Sequence, residues 1–152
     1  MKYITYYLLG LLSSLALIAF FSFSITDYHS YRGEKKKKEH RIVFQLTTPD
    51  TLAYRALVRQ LHNVLTEWPD ARIEVVSHNK GIAMLEKKKS NVMPEITALK
   101  SKGVRFYACE FTLQQMNIPK TDIIPESDYV ERGIVYIVSR QEEGWSYIKA
   151  GF

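Results

Sequence analysis

The chain has 152 residues, 46% apolar and 12% aromatic, with a formal charge of +5, seven glycines, five prolines and one cysteine. A single cysteine rules out an intramolecular disulfide framework, and four scattered histidines without ligand spacing argue against a metal site. The positive excess lies in two runs of lysine, residues 35–38 and 87–89, with no interleaved aromatics and no nucleic-acid motif, so nucleic acid is not an expected partner.

Residues 3–25 carry no charge. At ~1.5 Å rise per residue such a run is long enough to cross a hydrocarbon layer of ~30 Å as one helix. Residues 1–26 therefore read as a transmembrane anchor, with Tyr3, Tyr6 and Tyr7 at one interface and Tyr28 and Tyr31 near the other. The competing reading is a cleaved signal peptide, with Lys2 as its basic end and Ser22-Phe23-Ser24 as the cleavage site; the apolar run is longer than the ~7–15 residues usual there. Arg32, the lysines of residues 35–38 and Arg41 follow the span, whereas only Lys2 and the terminal amine precede it. The positive-inside rule then places the following domain in the cytoplasm, and a cleaved signal would export it. Residues 27–40 form a basic juxtamembrane tether suited to anionic headgroups, which leaves 41–152 for one α/β domain.

"RIVFQLT" (41–47) is apolar and β-branched, as in a strand covered on both faces. Thr48 is placed to cap the next helix, with Pro49 at its first position and Asp50 near the positive end of its dipole. Ala53, Leu57, Leu61, Val64, Leu65 and Trp68 then recur at helical spacing until Pro69-Asp70. "RIEVVSH" (72–78) predicts a second strand, "NKG" a turn, 82–85 a short amphipathic piece, and the lysines a solvated loop. Residues 94–100 predict a helix ended by Lys102-Gly103, with the glycine in the left-handed cap. "VRFYAC" predicts a third strand on which Phe106 and Tyr107 are core and helix-packing residues, and "TLQQM" a short helix stopped before Pro119. Residues 127–131 predict a fourth strand. Val130, Ile134, Ile137 and Val138 mark a last helix ending at Gly144, and "WSYIK" a closing strand. This alternation implies a mainly parallel sheet with right-handed crossovers and helices on both faces.

In an open parallel sheet, ligands gather beyond the carboxyl ends of the strands. The loops there are "TTPDT", "HNKG" and "CEFT", so His78, Asn79 and Cys109 should approach one another at one rim. A cysteine that ends a strand and precedes a helix meets unpaired amides and the positive end of a dipole, both of which favour its anion; the neighbouring Glu110 opposes it. Cys109 is thus a candidate reactive thiol, against the alternative of a buried small hydrophobe. His78 is its candidate partner, able to hydrogen-bond or deprotonate the thiol, against a loop histidine satisfied by backbone. Thr112 either caps the helix after Cys109 or donates to a bound anion, and with Asn79 and Thr48 completes the candidate binding residues. Trp145 and Tyr147 are core residues or part of a subunit contact. The first loop lacks the glycines that a pyrophosphate needs, so neither a nucleotide nor any other cofactor is expected.

The run "RFYACEFTLQQMNI", followed by "DIIP" and "RQEEGWSYIK", resembles the DsrE/DsrF-like family of small sulfur-relay proteins. Those domains carry a Cys-x-x-Thr-Leu signature after the third strand and a Gln-x-x-Gly-aromatic-x-Tyr-Ile ending, and the likeness spans residues 41–149. The resemblance implies a flavodoxin-like three-layer sandwich, assembly into homo-oligomers, and a cysteine, matched here by Cys109, that accepts and passes on persulfide sulfur. Two departures stand out. The usual Cys-Gly-Asn-Thr is Cys109-Glu110-Phe111-Thr112, which narrows the space beside the thiol, and the His-Gly-x-Gly after the second strand is His78-Asn79-Lys80-Gly81.

Two functions follow as expectations. One is a membrane-anchored sulfur carrier whose partners are sulfur donor and acceptor proteins. The other is a non-catalytic binding or assembly module with a structural cysteine. No serine, histidine and carboxylate set occupies the strand ends, so a hydrolase is not expected.

Overall fold

Runs of apolar and β-branched residues become the three inner strands, β1 (Arg41–Leu46), β2 (Arg72–Ser77) and β3 (Arg105–Cys109), buried over nearly their whole length as parallel strands covered on both faces must be. The computed structural model describes residues 39–151. The expected anchor, 1–26, and all but the last two residues of the expected tether, 27–40, lie outside them. Among the described residues no helix is long and apolar enough to cross a membrane. The edge strands β4 (Ser127–Val130) and β5 (Ser146–Ala150) complete one sheet in the order β4-β3-β2-β1-β5, every pairing parallel. Around it lie α1 (Thr51–Glu67), α2 (Met93–Ser101), α3 (Glu110–Gln115) and α4 (Gly133–Glu142), with 3-10 helices at Asn79–Leu85 and Lys120–Asp122. The architecture is α/β and flavodoxin-like.

Because side chains alternate along a strand, each inner strand feeds two cores. Phe44, Leu46, Val75, Phe106 and Ala108 meet Leu57 and Leu61 of α1, Ile96 and Leu99 of α2 and Leu113 of α3 in the larger one. Val43, Val76, Tyr107 and Val130 meet Ile137 of α4 and Trp145 in the smaller one. Each fully buried leucine or phenylalanine contributes roughly 1.5–3 kcal/mol, so the first face carries most of the hydrophobic stabilisation. The second face depends on α4. An ionic clamp at the amino-end side of that face supplements its apolar contacts: Glu74, 3% exposed, accepts from Arg140 Nε at 2.8 Å and from the Tyr136 hydroxyl at 2.9 Å. A carboxylate so buried has to be paired, and α4 supplies both partners.

Three local expectations are corrected. Asp50, not Thr48, caps α1: its Oδ1 accepts from Leu52 N at 2.8 Å, while Thr48 Oγ1 accepts from Asp50 N at 3.2 Å, and Pro49 stays outside the helix. A carboxylate is the stronger acceptor for an orphan amide, so the cap falls on it. "NKG" is not a free turn but the start of the 3-10 helix. That helix lies so close to the end of β1 that a Cβ on Gly81 would stand 2.3 Å from the Leu46 carbonyl oxygen, a position only glycine can fill. The last helix begins at Gly133 and does not include Val130, which falls in β4 as the strand expected over 127–131 has it.

Candidate functional site

Register and period place the site residues. Ser77 is level with Leu46 on β1 and with Ala108 on β3, so His78, one residue on, stands level with Cys109. Alternation puts Gln45 on the face of Val43, His78 on that of Val76 and Cys109 on that of Tyr107, all beneath the start of α4. His78, Asn79, Cys109 and Thr112 line one cavity of about 420 Å³, with Phe111 and Arg132 among its other walls. Thr48 is not in that wall; its hydroxyl is spent on the turn before α1.

Cys109 is 4% exposed, and its Sγ accepts from the Gly133 amide at 3.2 Å. Gly133 is the first residue of α4, so the sulfur sits at the positive end of that helix rather than at the end of α3, the helix that follows it in sequence. The reason is directional. Cys109 is the extended N-cap of α3 and makes no side-chain cap bond; its side chain lies on the second face, while α3 packs into the first through Leu113. Gly133 has to be small for the approach: a Cβ there would stand 3.2 Å from Val76 Cγ1, 3.3 Å from Cys109 Cβ and 3.4 Å from His78 Cβ. An amide and a helix end aimed at one sulfur favour negative charge on it.

The surrounding charges are paired and leave this effect to the amide and the helix end. Glu110, the neighbour expected to oppose an anion, pairs with Lys120 at 2.5 Å, which offsets its field. Arg132, the N-cap of α4, lines the cavity with its guanidinium 5.2 Å above the Phe111 ring, and its Nε stands 3.6 Å from the Glu131 carboxylate, which offsets its charge in the same way.

His78 is half-buried, and burial lowers its pKa from the ordinary 6.5. Its Nε2 lies 2.7 Å from Gln45 Nε2, and Gln45 Oε1 accepts from the Tyr147 hydroxyl. Among the described residues no hydrogen bond joins His78 to Cys109. Asn79 takes φ 49°, in the left-handed region that asparagine enters at small cost, and its amide donates to Thr112 Oγ1 at 3.1 Å. Thr112 thus ties the loop after β2 to α3 and does not cap that helix, because it is the third residue within it and Cys109 holds the N-cap position.

Gln45, Arg132, Gly133 and Tyr147 are the site residues that sequence reasoning leaves out. Gly133 carried a signal, a glycine opening the last apolar helical pattern just past a strand end. Nothing in its spacing tied it to Cys109, 24 residues earlier.

No protein-family model and no curated protein matches the chain. Solved structures do. It is 32% identical to the protein MTH1491 from Methanobacterium thermoautotrophicum, of unknown function, over 73% of this chain and 99% of that one, with a TM-score of 0.70. BT1422 from Bacteroides thetaiotaomicron, also of unknown function, shares 14% identity over 72% of this chain and 93% of that one at a TM-score of 0.58. The ychN protein from E. coli shares 8% over 74% and 99% at 0.58; these last two likenesses are of fold. With 32% identity over 73% of this chain and nearly all of that one, the chain belongs to the same family as MTH1491, within the DsrE/TusD-like fold.

Proposed function

We propose that the protein is a membrane-anchored, DsrE/DsrF-like sulfur carrier in which Cys109 accepts a sulfane sulfur and passes it on. The observation that carries this reading is the Cys109 sulfur held against the first amide of α4 inside a cavity. In the loading step the Cys109 thiolate attacks the outer sulfur of a persulfide donor. The donor's S–S bond breaks, its own sulfur leaves as a thiolate, and a new S–S bond forms on Cys109 with no net oxidation. The amide of Gly133, at the positive end of α4, stabilises the anion before and after transfer. An acceptor thiolate reverses the same step. Asn79 and Thr112 shape the wall through the bond from the Asn79 amide to Thr112 Oγ1, and no cofactor enters.

Residues 1–26 anchor the domain on the cytoplasmic side, and sulfur donor and acceptor proteins meet it there. Copies of the chain associate through the outward face beside the cavity, where Phe111, Ile134, Val135 and Val138 are 43%, 56%, 55% and 46% exposed. The second reading, an anchored assembly module with an inert cysteine, is favoured by one number, the 4% exposure of Cys109.

Incubation of the full chain, in detergent, with glutathione persulfide followed by intact mass measurement separates the two. The carrier gains the mass of one sulfur atom, and Cys109→Ser gains none. A wild-type mass that does not change overturns the reading.

A further inference from the structure

We infer that Gln45 and Tyr147 are positioning residues that hold His78 as the neutral tautomer protonated at Nδ1, so that His78 serves the Cys109 cavity as a hydrogen-bond donor and not as a base.

The inference rests on the polarity of one chain of contacts. A glutamine oxygen carries no proton, so where Gln45 Oε1 meets the Tyr147 hydroxyl the tyrosine donates. The amide nitrogen of the same side chain faces the imidazole, 2.7 Å from His78 Nε2. An amide nitrogen only donates, so Nε2 must be the bare, accepting nitrogen. The ring proton then sits on Nδ1. Protonating the ring would set two donors against each other at the Nε2 contact, so the same contact keeps the imidazole uncharged. This is the second-neighbour control of a histidine's tautomer.

The placement is built in. Gln45 is 9% exposed on an inner strand, Tyr147 stands on the neighbouring edge strand, and Gln45 pairs with Lys149, two residues beyond Tyr147 on the same face. His78 and Cys109 line the same cavity, and among the described residues His78 Nδ1 makes no hydrogen bond, so with Nε2 engaged by Gln45 it is the ring nitrogen left for a partner there. A neutral Nδ1–H cannot take the thiol proton, which goes to solvent; it can donate to the sulfur anion. This use of the donor rests on the sulfur-carrier reading, whereas the tautomer does not.

The test is long-range 1H–15N correlation of the full chain labelled with 15N-histidine, in which His78 is identified by its loss in His78→Gln. The expected spectrum at neutral pH has His78 protonated at Nδ1 and bare at Nε2. In Gln45→Glu, whose carboxylate only accepts, the proton moves to Nε2 or the ring becomes charged. In Tyr147→Phe, an exposed position, the amide is freed and the two tautomers mix. Wild-type His78 protonated at Nε2, or a Gln45→Glu spectrum identical to wild type, overturns the inference; if Gln45→Glu does not fold, the wild-type spectrum and Tyr147→Phe still decide it. No sulfur donor is present, so a failed sulfur uptake with the tautomer intact removes only the carrier reading, and the reverse result removes only this one.

Discussion

Gly133 sets the distance between α4 and the sulfur, and its substitution is a direct probe of the site. A methyl added there meets Val76, Cys109 and His78 between 3.2 and 3.4 Å, and two of these contacts are Cβ atoms at strand ends that cannot rotate away. Gly133→Ala should therefore cost about 1–3 kcal/mol by urea unfolding and slow modification of Cys109 together; a variant as stable and as reactive as wild type would contradict the geometry. His78 gives a pH signature. Burial lowers its pKa from 6.5, so in acid the unfolded chain takes up this proton before the folded one does. The contribution is absent above the unfolded value, destabilises as pH falls below about 6.5, and levels off under the folded value. Denaturation midpoints measured across that range should diverge between wild type and His78→Gln, and parallel curves would contradict it. Cys109, His78 and Asn79 were legible from the strand-end rule. Gln45 and Gly133 were not, because a mid-strand glutamine and a glycine between elements acquire meaning only when register and a neighbouring helix bring them to the same rim.

At the scale of elements, α4 is held by charge as much as by apolar contact. Removing Arg140 leaves Glu74 buried and ionised without its main partner, so Arg140→Ala should cost about 3–5 kcal/mol, while the double change Glu74→Leu with Arg140→Leu should recover most of that loss. Equal losses for single and double variants would show that packing, not charge, holds α4. Among the described residues periodicity located the five strands and the four α-helices, with errors at their ends, and missed the 3-10 helix at Lys120–Asp122. Val130 fits both the strand expected over 127–131 and the helical spacing to Ile134 and Ile137, and the strand keeps it. The cap of α1 was moved by one competing acceptor, Asp50 over Thr48.

The whole molecule shows what pattern alone could not supply. Alternating strands and helices implied a parallel sheet, but the order β4-β3-β2-β1-β5 depends on which face each crossover takes, and that choice is written in tertiary packing. It leaves α4 as the helix whose first turn reaches the rim on the second face, and this is why the sulfur meets α4 instead of the helix next to it in sequence. It also leaves the outer side of α4 apolar. The self-association proposed for this face predicts that Val135→Asp lowers the mass read by light scattering coupled to size exclusion in detergent, with the fold retained; a mass that Val135→Asp does not change would contradict that contact. The most direct measurement of the central claim is the rate at which a small alkylating reagent modifies Cys109 in the folded full chain, set against the rate in urea. A sulfur reachable through its cavity reacts without unfolding, at a rate independent of stability. Labelling that appears only as the chain unfolds would contradict it.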